Sequence, residues 1–162
     1  MLKMKGTACI EASVQRTWEV LSDLEKISDW SEVILSSTCN GDQKRGVGAE
    51  RVCSLKNNVT IIERVLEWNE GESFTYEGFN LPLVNRAKNT WSVKEVNGKT
   101  LLTTESELVL KGGVLGRILE PLMSYMAKKM GADSMAALKY LVENGAPYTG
   151  RHSVLPRAAV SC

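Results

Sequence analysis

The pattern of hydrophobic and polar positions changes its period twice along the chain. A short alternating segment at residues 5–11 predicts a first strand. Beyond it, apolar residues recur at helical spacing, at Val14, Trp18, Leu21 and Leu24. The segment LEKISDW adds a second helical turn that ends at Trp30. The chain is therefore predicted to open with one strand and two short helices.

Residues 33–110 follow the pattern of β-strands. Runs rich in β-branched and apolar residues alternate with turn residues, in the order VILSSTC, GAERVCSL, VTIIERVLEW, SFTYEGF, NRAKNTWSVKEV and TLLTTESELVL. The connectors Asn57-Asn58, Asn69-Glu70-Gly71 and Asn97-Gly98 have the composition of hairpin turns. Together with the first segment, these runs predict about seven antiparallel strands.

The last part of the chain returns to helical spacing. One apolar stripe contains Leu115, Leu119, Leu122, Met126, Met130, Leu138 and Leu141. The stripe predicts a helix of about 28 residues that stops at Asn144-Gly145, with a kink near Pro121 unless the regular part begins there. Residues 146–162 show no periodicity and are predicted to form a loop, a lid or a partly disordered tail.

This order of elements is an α+β arrangement. We expect a curved antiparallel sheet of about seven strands wrapped around the long C-terminal helix, because only that helix is long enough to cover the sheet. Residues 1–145 would form this domain and residues 146–162 a C-terminal tail.

Composition and charge exclude several classes of protein. The chain has 20 Lys+Arg against 19 Asp+Glu and a net charge of +1, so nucleic-acid binding is not expected. No apolar run reaches the length of a membrane span or a signal peptide, so we expect a cytoplasmic protein with no integral membrane segment. Nothing in the sequence indicates an oligomeric state.

The cysteines and the single histidine show no metal-site spacing, so no metal or other cofactor is expected. They are Cys9, Cys39, Cys53, Cys162 and His152. In a cytoplasmic protein the thiols stay reduced, and the first three cysteines are expected to be small buried hydrophobic residues.

Four segments of the chain resemble a known superfamily. They are VQRTWEVLSDLEKISDWSEV, GVGAERVCSL, IIERVLEWNEGESFTYEG and GGVLGRILEPL. With the order of elements, they resemble the SRPBCC superfamily of START-like, helix-grip proteins, and within it the polyketide cyclase/dehydrase and lipid-transport branch, over about residues 4–145. The resemblance implies a cavity between the concave sheet face and the long helix, occupied by an apolar molecule. It does not specify the chemistry, because the superfamily includes binders, transporters and enzymes.

The alternation of side chains along each strand predicts which residues would line such a cavity. Phe74 and Tyr76 share the more apolar face of their strand, as do Asn89 and Trp91, while Thr104 lies on the inner face of the last strand. A buried amide such as Asn89 needs hydrogen-bond partners from protein, water or ligand. From the helix, Met126 and Met130 are candidate ligand contacts because Met suits a wall that fits variable ligands, although it also fills irregular cores.

The strand VTIIERVLEW leaves two alternatives open. Each of its faces carries three apolar residues, so either Glu63 or Arg64 points inward, and a bulge near Trp68 could change the face partway along. An inward Arg64 would bind an anionic head group. An inward Glu63 would be a candidate general acid or base, as would Tyr76.

Three functions follow as hypotheses. No nucleophile elbow, P-loop or dinucleotide-binding motif is present. The first hypothesis is therefore a module that binds a hydrophobic small molecule such as a lipid, polyketide, isoprenoid or aromatic metabolite. The alternative is a cyclase or dehydratase-type enzyme that uses Glu63 or Tyr76. The third is an adaptor that binds a protein partner through a sheet edge or the tail.

Overall fold

A computed structural model of the protein describes residues 1–162, except for the side chain of Leu115. It contains seven strands: β1 Leu2–Ile10, β2 Ile34–Cys39, β3 Glu50–Leu55, β4 Thr60–Asn69, β5 Ser73–Phe79, β6 Val84–Val96 and β7 Lys99–Leu110. The α-helices are α1, Val14–Leu21, and α2, Gly113–Asn144, and two short 3-10 helices span Leu24–Asp29 and His152–Val154.

The strands form one antiparallel, curved sheet in the order β1-β7-β6-β5-β4-β3-β2. Each strand from β2 to β6 pairs with the next one along the chain. Strand β1 pairs with β7, so that β1 and β2 are the two edge strands of the sheet. The predicted α+β fold, a curved sheet with a long C-terminal helix, is confirmed.

Local capping and turn signals explain where several elements begin and end. The Ser13 hydroxyl accepts a hydrogen bond from the Arg16 amide at 3.1 Å, which caps α1. Asn97 and Gly98 have φ angles of 52° and 73°, as a tight hairpin between β6 and β7 requires. Gly145 ends α2 in the left-handed region with a φ of 75°.

Helix α2 is longer than predicted, and only its C-terminal half is buried. It has 32 residues and continues through Pro121. Leu138 and Leu141 lie in the core, whereas Leu122 is 56% exposed. The apolar stripe is thus divided between a buried and an exposed half, and the side chain of Leu115 lies outside the described residues. The space beneath the N-terminal half of α2 is therefore not filled by the helix.

The C-terminal tail lies along the free edge of β1. The Cys9 amide donates to the Ala159 carbonyl at 2.7 Å, and the Thr7 hydroxyl donates to the Val160 carbonyl at 2.7 Å. Cys9 forms a disulfide with Cys162, with their Cα atoms 5.2 Å apart.

This bond corrects the expectation that Cys9 is a reduced, buried thiol. The partners are 153 residues apart in sequence and meet only because the tail folds back on β1. Cys39 and Cys53 are buried free cysteines, as expected. The expectation of reduced thiols, which followed from the cytoplasmic expectation, does not hold for Cys9 and Cys162.

Candidate functional site

An open cavity of about 790 Å³ is lined by the inner face of the sheet and by α2. Its apolar wall includes Ile27, Trp30, Ile61, Leu108, Met126 and Met130. This volume lies within the range of about 300–1,000 Å³ that is usual for small-molecule sites. The cavity is therefore large enough for a ligand of ordinary metabolite size.

Small residues on the sheet give the cavity its depth. Glu63 on β4 lies opposite Gly78 on β5, and Gly78 lies opposite Ala87 on β6. A Cβ atom added at Gly78 would lie 3.0 Å from the Leu81 side chain, so even Ala would be tight there. Because neither Gly78 nor Ala87 carries a large side chain, the cavity extends down to the sheet beside Glu63.

Strand β4 turns Glu63 inward and Arg64 outward. Glu63 is 8% exposed and lines the cavity. Arg64 pairs with Glu50 at 2.8 Å on the outer face, where its side chain is 54% exposed. The prediction that Arg64 contacts a ligand in the cavity is therefore wrong for this structure. A register shift between Val65 and Glu67 is the physical reason, because it allows Ile61, Glu63, Val65 and Trp68 to share one face.

Glu63 belongs to a buried polar cluster at the floor of the cavity. Arg51 Nε donates to Glu63 Oε2 at 2.6 Å, and Arg51 Nη1 donates to the Leu24 carbonyl at 3.3 Å. The Arg51 guanidinium lies over the Tyr76 ring, 5.0 Å from its centroid. Cys53 Sγ is 3.8 Å from the same Glu63 oxygen. The carboxylate is therefore neutralised by a cation that is itself only 3% exposed.

Arg51 was missed by the sequence analysis. In the β3–β4 register it lies directly opposite Glu63, and in ERVCSL it shares a face with the buried Cys53. The sequence signal was that Arg51 shares a strand face with an apolar residue, Cys53, which indicates a buried arginine. The role of Arg51 follows only once the strand register shows that Glu63 is its partner. Trp30, which ends the second predicted helical turn, also lines the cavity.

Polar groups continue across the sheet as a row. Tyr76 on β5 lies opposite Asn89 on β6, and Asn89 lies opposite Ser106 on β7. Ser106 Oγ donates to Asn89 Oδ1 at 2.5 Å. Burial, reinforced by the negative charge of Glu63, raises the pKa of Tyr76 well above its usual range, although Arg51 and Trp91 partly offset the rise. The phenol is therefore protonated at neutral pH.

The other predicted contacts fall into two groups. Trp91, Thr104, Met126 and Met130 line the cavity with Tyr76 and Asn89, and their contact with a ligand stays a prediction. Phe74 does not line the cavity. It is 2% exposed and packs in the core with Trp18 and Trp68, at ring-centroid distances of 6.0 and 5.4 Å. Phe74 lies on the predicted inner face, but at its end near α1, where the core is solid.

Two further observations concern the described part of the chain. None of its helices combines the length and the apolar character needed to cross a membrane. Within the same residues, no group of three or more His, Cys, Asp or Glu side chains is arranged to hold a metal ion.

The long helix, the curved sheet and the cavity lined by both define a START-like, helix-grip protein. The comparison with protein families agrees with this class. The chain belongs to the family described as polyketide cyclase / dehydrase and lipid transport, whose model matches residues 1–143. No curated protein matches the sequence.

Solved structures show the same fold at low sequence identity. The chain is similar to XoxI from Bacillus cereus, with a TM-score of 0.72, 22% identity, and coverage of 89% of this chain and 97% of that one. It is similar to TTHA0849 from Thermus thermophilus, with a TM-score of 0.75, 15% identity, and coverage of 89% and 99%. Ara h 8.0201 gives a TM-score of 0.70 at 10% identity, with coverage of 88% and 98%. These similarities establish the fold alone.

Proposed function

We propose that the protein binds a hydrophobic small molecule, such as a lipid, polyketide, isoprenoid or aromatic metabolite, in the cavity between the sheet and α2. The observation that carries this proposal is the exposed apolar wall that α2 presents there. Met126 and Met130 line the cavity and are 55% and 46% exposed. An apolar ligand would remove this surface from water, at a gain of roughly 25 cal/mol per Å².

The charges of the cavity wall favour the same conclusion. Glu63 is paired with Arg51, and Lys129 is paired with Asp133 at 3.5 Å. A wall whose charges are already paired offers no free ion to a charged ligand. Binding energy would therefore come chiefly from burial of apolar area.

Gly131 offers a direct test, because a side chain can be added there without a clash. Gly131 lines the cavity, and a Cβ atom at this position would contact nothing within 4 Å. Gly131→Phe should fill part of the cavity, whereas Gly131→Ala is the matched control that adds only a methyl group. Both should preserve the helix, since Gly is the weaker helix former.

The probe is N-phenyl-1-naphthylamine, whose fluorescence rises when it enters an apolar site. We expect saturable binding to the wild type and to Gly131→Ala, and affinity reduced at least about tenfold in Gly131→Phe, the equivalent of about 1.4 kcal/mol. Circular dichroism would show that all three proteins are folded. Equal affinity in the wild type and Gly131→Phe would contradict the proposal.

A cyclase-type enzyme is the second candidate function, because Glu63 and Tyr76 both line the cavity. In that case the Glu63 carboxylate would accept a proton from the substrate, and the protonated Tyr76 would donate a hydrogen bond. Incubation with poly-β-ketone substrates tests this role. Turnover that Glu63→Gln abolishes without loss of probe binding would support the enzyme, and unchanged turnover would exclude Glu63 as its base.

A further inference from the structure

We propose that Tyr76 and Asn89 form a two-donor subsite for a carbonyl oxygen, so that the bound molecule is an uncharged apolar carbonyl compound such as a ketone, ester or quinone. The inference rests on the proposed function, because it specifies the ligand of the same cavity.

The register brings the two groups together. Tyr76 and Asn89 are direct cross-strand partners on β5 and β6, and both line the cavity. Side chains in this relation have Cβ atoms about 4.5–5.5 Å apart, so one small ligand group can reach both. Gly78 and Ala87 are the next cross-strand pair on this face, and they leave room for the rest of the ligand.

The orientation of the Asn89 amide follows from its bond to Ser106. The Oγ to Oδ1 distance of 2.5 Å lies at the short end of the 2.5–3.0 Å range of O–H···O hydrogen bonds and below the 2.7–3.2 Å range of N–H···O bonds. Ser106 therefore binds the carbonyl oxygen of the Asn89 amide, and the amide nitrogen, Nδ2, points away from Ser106. Among the described residues, no group accepts a hydrogen bond from Asn89 Nδ2. Ser106 acts as a positioning residue that keeps a donor available.

Tyr76 supplies the second donor. Tyr76 is only 7% exposed, and burial keeps the pKa of the phenol above its usual range, so the hydroxyl proton is retained. No acceptor for this hydroxyl occurs among the described residues. Tyr76 lines the cavity, and its side-chain interaction with Trp91, whose indole N–H can only donate, leaves the hydroxyl proton free. A ligand oxygen can therefore complete its hydrogen bonding.

The charge balance selects an uncharged acceptor over a carboxylate. Every charged residue of the cavity wall has a partner: Glu63 pairs with Arg51, Lys56 with Glu32, and Asp133 with both Lys129 at 3.5 Å and Arg157 at 2.6 Å. A buried carboxylate would need an unpaired cation to offset its desolvation, and the described wall has none. A ketone or ester oxygen needs only the two neutral donors.

The test uses two fluorescent probes that differ in one group. The first is 6-propionyl-2-(dimethylamino)naphthalene, a ketone, and the second is 6-propyl-2-(dimethylamino)naphthalene, in which a methylene group replaces the carbonyl. Kd is measured for both probes, and the discrimination ratio is the Kd of the propyl probe divided by that of the ketone. The ratio cancels changes that affect both probes equally.

The variants remove one donor, its positioning residue or an unrelated hydroxyl. Asn89→Leu and Tyr76→Phe remove the donors, and Ser106→Ala frees the amide to rotate. Thr90→Val is the matched control, because Thr90 hydrogen-bonds Thr75 at 2.9 Å and neither residue lines the cavity. All four positions lie on β5, β6 or β7.

We expect the discrimination ratio to fall by about 2- to 12-fold for each donor removed, as the loss of one neutral hydrogen bond predicts. Ser106→Ala should lower it by a smaller factor, and Thr90→Val should leave it unchanged. The ketone's emission should shift to shorter wavelength in Asn89→Leu and Tyr76→Phe, because hydrogen bonding to its carbonyl lengthens the emission wavelength.

The outcomes separate this inference from the proposed function. If both probes bind the wild type but the ratio is the same in Asn89→Leu and Tyr76→Phe, the carbonyl subsite is wrong and the cavity still binds apolar molecules. If neither probe binds the wild type, the proposed function fails and this inference fails with it. A ratio that falls equally in Thr90→Val would also overturn the subsite.

Discussion

The buried Arg51–Glu63 pair supports a quantitative prediction about stability. Arg51 is 3% exposed and Glu63 is 8% exposed. In Arg51→Met the carboxylate would keep only the weak contact with the Cys53 thiol at 3.8 Å. An uncompensated charge in such a place costs about 3–5 kcal/mol, so Arg51→Met should lose that much of its free energy of unfolding.

Replacing both partners should have a much smaller effect. In the double variant Arg51→Met, Glu63→Met no charge is left buried without a partner. The Leu24 carbonyl also stays satisfied, because Ser37 Oγ donates to it at 2.9 Å. Exchanges of a buried ion pair for apolar residues of similar volume are often neutral or stabilising. The double variant should therefore be more stable than Arg51→Met alone.

Urea unfolding at pH 7, followed by far-ultraviolet circular dichroism and tryptophan fluorescence, measures these differences. Equal m values are needed before midpoints are compared. Arg64→Met is the matched control, since Arg64 is the next residue along the chain from Glu63 and its own side chain, which pairs with Glu50, is 54% exposed. If Arg51→Met is no less stable than Arg64→Met, or if the double variant is as unstable as Arg51→Met, the reasoning is refuted.

Three further predictions concern the disulfide, high pH and the start of α1. The Cys9–Cys162 bond spans 153 residues, so Cys162→Ser should lower the free energy of unfolding by about 2–4 kcal/mol, and equal stability of this variant and the oxidised wild type would argue against the bond. Because burial raises the pKa of Tyr76, the folded state binds more protons than the unfolded state above pH of about 10, and stability should fall as the pH rises further. Urea titrations between pH 9 and 11 should show a shallower loss in Tyr76→Phe, and identical slopes would contradict this. Ser13→Ala removes the hydrogen bond to the Arg16 amide and should cost about 1 kcal/mol, measured as a lower urea midpoint; Ser13→Asp should restore it, and an unchanged midpoint in Ser13→Ala would show that the cap contributes nothing.

Single-strand alternation could not decide the orientation of β4. Three apolar residues lie on each face, so the hydrophobic pattern alone leaves Glu63 and Arg64 equivalent. The bulge after Val65 and the opposing Arg51 on β3 decide the matter, because together they bury the carboxylate with a partner. Both features arise from pairing between strands, which the residues of one strand do not encode.

Inner-face positions also divided in a way that alternation does not show. Phe74 and Tyr76 share a face of β5, yet Phe74 packs in the solid core against Trp18 while Tyr76 lines the cavity. The residue that covers each position makes the difference: Trp18 of α1 packs on Phe74, with ring centroids 6.0 Å apart, whereas Tyr76 faces the cavity. The Cys9–Cys162 disulfide is similar, because the tail reaches β1 only in the folded chain.

The order and type of the elements were determined by the sequence alone. Side-chain alternation, helical spacing, the Ser13 cap and the Asn97-Gly98 turn act between residues close in the chain, and the family resemblance rests on the same residues. The tertiary structure alone decided which side chains line the cavity, which charges are paired and which cysteines bond. Those properties depend on sheet register and on the gap beneath α2, and they are set by contacts between residues distant in sequence.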